Sequence, residues 1–515
     1  MLRTDSIDNE PYLREGAIWI GSPSFNMEKD VNALLKIWSQ IAVLTMLLFL
    51  TACAGTSTFT AYPHKIQPLV TAMVNRTPVD LSKSLLSERK SNDLILYNME
   101  HGRYAHVTGN SNVSMEDFKT SIDKIRANDE KALISASAIA ANMAATLVND
   151  NAIPYEGDGY ERVLLHQYQA LNYLKKKDLD GAGVEVRRAN AEQNDSLKRF
   201  EKELEKSREE AAKKKINAGN TSNIETQYAQ MDEIAGKVKN SFQNAYTFYV
   251  SGIIYELLQQ ENDAYIDYKK ALEIYPENSY LQKDVIRLAA KLGMRKEFEE
   301  LKQRFPGVQT PVAATSTGFG EILVLFEDGF VPQKHEVMIP IPAGKAGVLA
   351  LAFPIYREKW STQTPLRIFG DNGQIGATEP ICDVRALAVK ALKEKIPVIA
   401  TRQIVRAVVK GVAAAEAKKK MGDLGQFATN VWNLVSESAD LRSWLTLPAN
   451  AQIMRATLPS GKYRLSLQHP MAVGRSYADV EIPPDGKAVL QVIRTGGQLY
   501  TSVTSFAPSI KQEAL

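Results

Sequence analysis

The chain has very little cysteine: its 515 residues include only Cys53 and Cys382. A fold stabilised by disulfides needs several cysteine pairs, so a disulfide framework is excluded. Zinc sites built from paired cysteines are excluded for the same reason. The neighbours of Cys382 in the sequence offer no activating base, and we expect this residue to be a small buried hydrophobe.

Recognisable catalytic motifs are also missing from the sequence. None of the six histidines belongs to a His-Glu-x-x-His pair, and neither a Gly-x-Ser-x-Gly elbow nor a Gly-x-x-x-x-Gly-Lys-Ser/Thr loop is present. These patterns supply zinc ligands, an exposed nucleophile and a cradle for phosphates. We therefore predict that the protein is not an enzyme and that it uses neither a metal nor a cofactor.

An excess of one charge is lacking as well. The chain carries 62 Lys and Arg against 59 Asp and Glu, a net charge of +3, with 44% hydrophobic and 23% charged residues. This balance is typical of a globular protein and does not indicate binding to nucleic acid. After the first 50 residues no apolar run reaches the roughly twenty residues that a membrane span requires.

One short apolar run stands near the N-terminus, from Ile41 to Leu50, with Lys36 before it. A basic region followed by about ten apolar residues is typical of a secretory signal peptide. The run ends in Leu50-Thr51-Ala52-Cys53, which resembles the bacterial lipobox, in which the cysteine is acylated and becomes the new N-terminus. Two or three acyl chains, such as palmitate, would anchor Cys53 stably in a membrane. The alternative is a signal-anchor helix with a cysteine nearby by chance.

The lipobox has consequences for the start of the protein and for its location. Residues 1–26 are acidic and do not resemble a signal peptide, so Met27 is a better start than Met1. We expect residues 1–52 to be a leader that is absent from the mature protein. Ala54 and Gly55 follow the cysteine, and the absence of Asp there implies sorting to the outer membrane, on its periplasmic face.

Residues 248–276 follow the spacing of a tetratricopeptide repeat, a helix–turn–helix unit of 34 residues. Small residues stand where the two helices approach each other, and aromatic residues fill the space beside them. A second copy precedes it, and a third, weaker copy begins with helices predicted at 94–104 and 114–127, the latter capped by Ser114. The positions that carry the three copies are Phe248, Gly252, Tyr255, Ala264, Tyr268, Ala271 and Pro276; Ala170, Tyr173, Ala182, Val186 and Ala189; and Gly102, Gly109, Ser114, Phe118 and Ser121.

A charged stretch at 190–215 interrupts the repeat spacing. Its narrow apolar seam and i,i+4 charge pairs predict a helical hairpin that projects near 190–240, with a turn at 217–220. A coiled-coil arm that docks a partner is the alternative.

A loop at 149–162 mixes acids, amides, two glycines and two tyrosines just before a predicted helix. We expect Tyr155, Tyr160 and Arg162 to be exposed there, because aromatic and arginine side chains are the usual anchors of protein partners in a groove. Turn and capping chemistry explains most of the same residues, so a structural role is the alternative.

The pattern changes from helix to strand after Pro306. Short β-branched runs predict strands within 321–369 and 452–494, with a hairpin turn at 459–462. Residues 384–437 return to a helical pattern, with Pro397 suited to a first helical position. A basic stripe in this insert, formed by Arg402, Arg406 and Lys410, either pairs with acids on a solvated flank or meets an anionic lipid or glycan.

Together these patterns predict an α+β protein. Residues 53–306 form a tetratricopeptide-like helical domain, and residues 307–515 form a β-rich, sandwich-like domain with a helical insert near 384–437.

Several short segments resemble a family of proteobacterial outer-membrane lipoproteins that has tetratricopeptide-like repeats and no assigned function. The resemblance implies the location and the helical repeats, and a link to operons that encode lipoprotein activators of penicillin-binding proteins. It implies no active site. The segments that carry it are Tyr160-Glu161-Arg162, Ala170-Leu171-Asn172-Tyr173-Leu174, Val184-Glu185-Val186-Arg187-Arg188-Ala189, Glu327-Asp328-Gly329 and Ala439-Asp440-Leu441-Arg442-Ser443-Trp444.

Two functions fit the sequence. The first is a lipoprotein scaffold in envelope assembly or peptidoglycan synthesis, anchored through Cys53 and bound to envelope proteins whose identity the sequence does not give, without nucleic acid. The alternative is a periplasmic glycan- or peptidoglycan-binding module, or an unrecognised envelope enzyme. Trp360, Trp432 and Trp444 are then candidates for stacking on a sugar, and packing in a buried core or interface is the alternative for each.

Overall fold

The change from helix to strand along the chain is the main feature of the fold. The computed structural model describes residues 61–79, 92–134, 150–213, 222–308, 318–342, 348–357, 362–436 and 438–508. Helices occupy the described residues up to 304, and strands with one helical insert follow from 319, which confirms the predicted α+β class. The helices are α1 Tyr62–Asn75, α2 Leu94–Val107, α3 Ser111–Ile134, α4 Gly159–Lys175, α5 Leu179–Lys213, α6 Ser222–Tyr228, α7 Asp232–Ala235, α8 Ala245–Leu257, α9 Glu261–Ile274, α10 Ser279–Lys291, α11 Arg295–Arg304 and α12 Val384–Ser436, with short 3-10 turns at Asp150–Ala152 and Ala229–Met231.

Neighbouring helices pack in pairs at the positions that the spacing predicts. Gly252 of α8 lies against Tyr268 of α9 so closely that an added Cβ would stand 2.3 Å from the tyrosine ring. Gly102 of α2 has the same relation to Phe118 of α3, at 2.6 Å. The small residues predicted at the other close approaches are fully buried, and they are Ala170, Ala182, Ala189, Ala264 and Ala271. The expected cap is wrong in one place, since α3 begins at Ser111 and Ser114 lies inside it.

Eleven strands are present among the described residues, and they form two large sheets and one two-stranded pair. The strands are β1 Phe319–Asp328, β2 His335–Pro342, β3 Val348–Ile355, β4 Arg367–Gly370, β5 Gly373–Ala377, β6 Glu379–Asp383, β7 Asn450–Pro459, β8 Gly461–Gln468, β9 Ser476–Ile482, β10 Lys487–Thr495 and β11 Gln498–Phe506. The five-stranded sheet has the order β11-β10-β1-β7-β6, in which β1 and β10 are parallel and the other neighbours antiparallel. The antiparallel four-stranded sheet has the order β5-β4-β8-β9, and β2 pairs with β3.

The central strand β1 is buried on both of its faces. Leu323 and Leu325 belong to the large core shared with the helices, whereas Ile322, Val324 and Phe326 belong to a second core against β8 and β9 of the four-stranded sheet. Because side chains alternate along a strand, this pattern places the five-stranded sheet between the helices and the second sheet. Residues 61–515 accordingly form one compact unit.

The turn predicted at 459–462 is not a hairpin. Strand β7 belongs to the five-stranded sheet and β8 to the four-stranded sheet, so the chain changes sheet at Ser460. Gly461 has a φ of 153°, and the Ser460 amide donates a hydrogen bond to the carbonyl of Gly318 at 2.8 Å. Strands β5, β6 and β11 were not predicted from the sequence.

The helical insert α12 begins at the predicted residue, but Pro397 does not lie at a first helical position. It begins at Val384, with Pro397 inside it, and its backbone leaves the helical conformation at Gly422 (φ 62°). Arg402 and Arg406 contact the Asp150 carboxylate at 3.6 and 2.6 Å, so this part of the basic stripe pairs with acid, as one of the two alternatives predicts. Arg406 is buried, however, and does not lie on the solvated flank that this alternative describes.

The segment predicted to project as a hairpin contacts this insert. Ser207 of α5 donates a hydrogen bond to the Pro397 carbonyl at 3.4 Å, and Glu203 lies 3.7 Å from Arg402. Helix α5 is thus packed along part of its length, and the predicted turn at 217–220 lies outside the described residues.

Candidate functional site

The three side chains expected to bind a partner are buried, and the prediction that they are exposed is wrong. Tyr160 has no exposed surface, and the exposed fractions of Arg162 and Tyr155 are 5% and 8%. Both tyrosine hydroxyls donate hydrogen bonds to the Glu161 carboxylate, that of Tyr160 at 3.2 Å. Arg162 pairs with Asp129 and, at 2.8 Å, with Glu192. The loop is therefore part of the protein interior, because these three side chains bind partners within the chain.

Two buried carboxylates, Glu100 of α2 and Glu161 of α4, hold the segment that leads into β7. The Glu100 carboxylate accepts hydrogen bonds from the amides of Leu445 and Thr446 at 2.6 and 3.1 Å. Glu161 accepts one from the Trp444 amide at 2.7 Å and one from the Asp158 amide at 2.8 Å, the second as part of a capping box at the start of α4. Burial raises the pKa of Glu100 to about 8, while these donors act in the opposite direction. Burial and Asp158 also raise the pKa of Glu161.

The segment before β7, residues 438–449, is fixed by Arg442 and Trp444. The Arg442 guanidinium bridges the carboxylates of Asp440 and Asp93 at 2.8 and 2.7 Å and donates to the Asp150 carbonyl at 3.1 Å. Trp444 is fully buried with its ring edge-on to Phe118 and Tyr168, at centroid distances of 5.9 and 5.8 Å. It is not available to stack on a sugar. Trp360 and Trp432 lie outside the described side chains.

A second buried ion pair joins the helices to the central sheet. Arg103 of α2 pairs with Glu327 of β1, and neither side chain is more than 1% exposed. The Arg103 guanidinium lies 4.2 Å from the centre of the Tyr168 ring, and the Tyr246 hydroxyl donates to Glu327 at 3.0 Å. Arg103 also donates to the Thr446 carbonyl, and Glu161 accepts from the Trp444 amide, so this ion pair and the segment before β7 belong to one buried network.

A cavity of about 540 Å³ lies where the C-terminal ends of α1, α2 and α4 meet strands β10 and β11. Lys175 is the last residue of α4, and Arg76 follows α1 in the left-handed conformation that ends many helices. No sequence motif indicates this cavity, since its residues come from five separate elements. They are Ala72, Arg76, Thr77, Pro78, Tyr104, His106, Val107, Thr108, Gly109, Lys175, Gln491, Ile493, Tyr500, Thr501 and Ser502.

The basic groups of this cavity are strongly influenced by burial. The pKa of Lys175 is lowered to about 7 by burial and by the charge of Arg103, with Glu327 opposing both. Burial, Lys175 and Arg103 hold the pKa of His106 well below its ordinary value, so this imidazole is neutral at pH 7. The His106 ring contacts the side-chain oxygens of Asn172 at 2.8 Å and Gln491 at 3.1 Å. One end of the buried Gln491 amide has no hydrogen-bond partner among the described residues.

The remaining predicted features are placed as follows. Cys53 lies outside the described residues, and Cys382 is buried, with a thiol pKa raised by burial. Within the described part of the chain, no group of three acidic, histidine or cysteine side chains is arranged to hold a metal ion. No described helix is both long enough and apolar enough to cross a bilayer.

Comparison with known proteins adds no assignment: no protein-family model, curated protein or solved structure matches this chain.

Proposed function

We propose that this chain is a lipoprotein anchored through Cys53 at the periplasmic face of the outer membrane, where it acts as a protein–protein scaffold in envelope assembly or peptidoglycan synthesis. The observation that supports it most is the lipobox Leu50-Thr51-Ala52-Cys53. Only eight residues separate Cys53 from the first described helix residue, Tyr62, so an acylated Cys53 would hold the folded body close to the membrane.

The paired helices support the scaffold part of the proposal. Helix pairs of this spacing are typical of repeat arrays, which bind peptides and helices of partner proteins. The buried ion pairs and the shared core give such an array a fixed framework.

The anchor is tested by metabolic labelling with a fatty-acid analogue and by membrane fractionation. Wild-type protein is expected to carry the label and to sediment with outer membranes. Cys53→Ser should lose the label, because serine offers no thiol for acylation, whereas Cys382→Ser should retain it. Undiminished label on the Cys53→Ser protein would contradict the lipoprotein assignment.

The scaffold and glycan-binding roles differ in what the intact protein binds. Crosslinking of the full-length protein in cells, with mass spectrometry of the products, is expected to give a reproducible envelope protein. When the purified protein is sedimented with peptidoglycan, we expect the protein to remain in the supernatant. The reverse result, pelleting with peptidoglycan and no crosslinked protein, would replace the scaffold by the glycan-binding module.

A further inference from the structure

We propose that the cavity between α1, α2, α4, β10 and β11 binds a small anionic sugar, one that carries a carboxylate or a phosphate, with Lys175 and Arg76 holding the anionic group. This inference does not depend on the scaffold role, since the cavity belongs to the chain itself.

The charge of the lining is the first argument. The cavity is lined by Lys175 and Arg76, and none of the described residues that line it is acidic. Both cations already donate to the protein, Lys175 to the His106 carbonyl at 3.3 Å and Arg76 to the Leu499 carbonyl. An ammonium has three donors and a guanidinium five, so both retain donors for a ligand. A carboxylate or a phosphate is the group that matches them.

The unsatisfied Gln491 amide is the second argument. Gln491 is 4% exposed and lines the cavity, yet one of its two polar ends lacks a partner in the described structure. The free end is closed to water in the unliganded protein, so a ligand reaches it when the side chain shifts toward the cavity. The hydrogen bond formed then removes the cost of about 1–3 kcal/mol that a buried polar group without a partner carries. The amide can present either its N–H or its oxygen, so it suits a ligand that both donates and accepts, as a sugar hydroxyl does.

The size and the remaining lining give the third argument. About 540 Å³ lies within the usual range for small-molecule sites, roughly 300–1,000 Å³. Hydroxyl groups are unusually frequent around the cavity, and the Tyr104 and Tyr500 rings stand among them as apolar surface. Such a mixture of hydroxyls and aromatic rings suits a polyhydroxylated ligand of one or two sugar rings. The hydroxyl-bearing residues are Thr77, Tyr104, Thr108, Tyr500, Thr501 and Ser502.

The charges around Lys175 make the affinity of the cavity for an anion depend on pH. Arg103 and His106 face it from α2, Glu327 from β1, and Arg76 stands across the cavity after α1. With a pKa of about 7, Lys175 loses its proton near neutral pH in the free protein. A bound anion favours the ammonium form, so binding takes up a proton and weakens as the pH rises.

The test is isothermal titration of the purified full-length protein with three probes: glucuronic acid, glucose 6-phosphate and glucose. Binding of glucuronic acid or glucose 6-phosphate, with glucose at least tenfold weaker, is expected, and the stronger of the two acids identifies the anionic group. Lys175→Met should lower the affinity for the more tightly bound probe roughly tenfold or more, because one charged hydrogen bond is lost. Lys176→Met is the matched control, because its exposed side chain does not line the cavity, and it should bind as the wild type does.

A second variant keeps the test decisive if Lys175→Met is unstable, since Lys175 also contacts the end of α2. Gln491→Glu preserves the shape of the side chain and an acceptor for His106, but it places a negative charge in the cavity. It should abolish binding of the anion. Glucuronic acid stays ionised between pH 6 and 8.5, so its affinity should fall over this interval in the wild type and stay level in Lys175→Met.

Three results would overturn the proposal: no heat of binding with any probe at millimolar concentration, equal affinity for glucose and the two acids, or binding that both variants leave unchanged. None of these results bears on acylation of Cys53 or on the crosslinked partner, so this inference can fail while the proposed function stands.

Discussion

Arg103 and Glu327 form an ion pair that is almost wholly removed from water, and the two charges depend on each other. Bringing a charge into a protein interior costs several kcal/mol, which the partner and surrounding hydrogen bonds offset. Glu327 has a second donor in the Tyr246 hydroxyl, whereas the Arg103 guanidinium relies on Glu327, on the Thr446 carbonyl at 3.4 Å and on the Tyr168 ring. Losing either partner leaves the other charge buried without its counter-ion, with only neutral groups around it.

We therefore predict that Arg103→Met lowers the free energy of unfolding by about 3–5 kcal/mol. The double variant Arg103→Met, Glu327→Gln should recover part of this loss, because it removes both charges. Lys119→Met, which breaks an exposed pair with Asp123, serves as control and should change stability by about 0.5 kcal/mol or less. Urea unfolding followed by fluorescence measures all three. A loss below about 1 kcal/mol in Arg103→Met would show that Glu327 is compensated without it.

Glu100 should make stability depend on pH in a defined direction. Its pKa is raised by burial from 4.5 to about 8, so the folded protein binds a proton that the unfolded chain releases between these values. The contribution of Glu100 to stability is thus fully present below about pH 4.5 and is lost as the pH rises through 8.

Urea midpoints of the wild type and of Glu100→Gln at pH 5.5, 7 and 8.5 test this prediction. Glutamine does not titrate, and it cannot accept hydrogen bonds on both ends as Glu100 does. The variant is expected to be less stable at pH 5.5, and the difference from the wild type should shrink toward pH 8.5. A difference that stays constant from pH 5.5 to 8.5 would mean that Glu100 is ionised in the folded protein over the whole interval.

The positions of small residues at helix contacts could be predicted from the sequence. The burial of particular polar residues could not. Ala264 and Ala271 repeat at fixed spacing, so their burial follows from the pattern. Tyr155, Tyr160 and Arg162 have the composition of a binding surface, and their burial depends on partners such as Glu161, Asp129 and Glu192. A sequence does not show which distant acid meets which base.

At the scale of the elements, the close contact between α8 and α9 is set by one residue without a side chain. Gly252 stands under the Tyr268 ring, and any Cβ there would overlap it unless the helices move apart. We predict that Gly252→Ala destabilises the protein by about 1–3 kcal/mol, although alanine favours a helix by about 1 kcal/mol over glycine.

Gly307→Ala is the matched control for this prediction, because an added Cβ there meets no atom within 4 Å. Thermal unfolding should show a lower midpoint for Gly252→Ala and an unchanged or slightly higher one for Gly307→Ala. A higher midpoint in Gly252→Ala would mean that Tyr268 moves aside without cost.

The positions of the strands along the sequence could be predicted better than their pairing in the sheets. Alternating β-branched runs indicate β7 and β8, yet nothing local in Pro459-Ser460-Gly461-Lys462 distinguishes a hairpin from a change of sheet. The parallel pairing of β1 with β10 joins residues such as Glu321 and Lys487, far apart in sequence. Strand β5 contains two glycines in five residues, which explains why its propensity is weak.

On the scale of the whole molecule, the helices and the five-stranded sheet share one hydrophobic core. Leu323, Leu325, Ile453 and Val489 of the sheet belong to the same cluster as the residues of α2, α4, α8 and α10. Ion pairs cross the same boundary, where Arg455 of β7 contacts Glu256 of α8 and Asp284 of α10 at 2.8 and 2.9 Å.

A chain that ends at Pro306 is therefore expected not to fold on its own. It would expose the apolar helix surface that the sheet covers and leave Glu256 and Asp284 without Arg455. Circular dichroism and limited proteolysis should show a loose helical state without a sharp thermal transition, whereas the chain from residue 53 to 515 should unfold cooperatively. A sharp transition in the 53–306 fragment would show that the helices form a separate domain.

The last hairpin of the chain holds its first described helix, since Thr495 and Tyr500 both donate hydrogen bonds to the carbonyl of Met73 at 2.8 and 2.7 Å. A polypeptide is synthesised from its N-terminus, so α1 leaves the ribosome well before β11 does. The five-stranded sheet is also incomplete without β10, which lies between β1 and β11. Helix α1 and the central sheet therefore cannot be completed until almost the entire polypeptide has been synthesised, and contacts of such long sequence separation form slowly. Until then the incomplete chain is exposed to chaperones and proteases. A truncated chain that ends before β10 stays exposed to them.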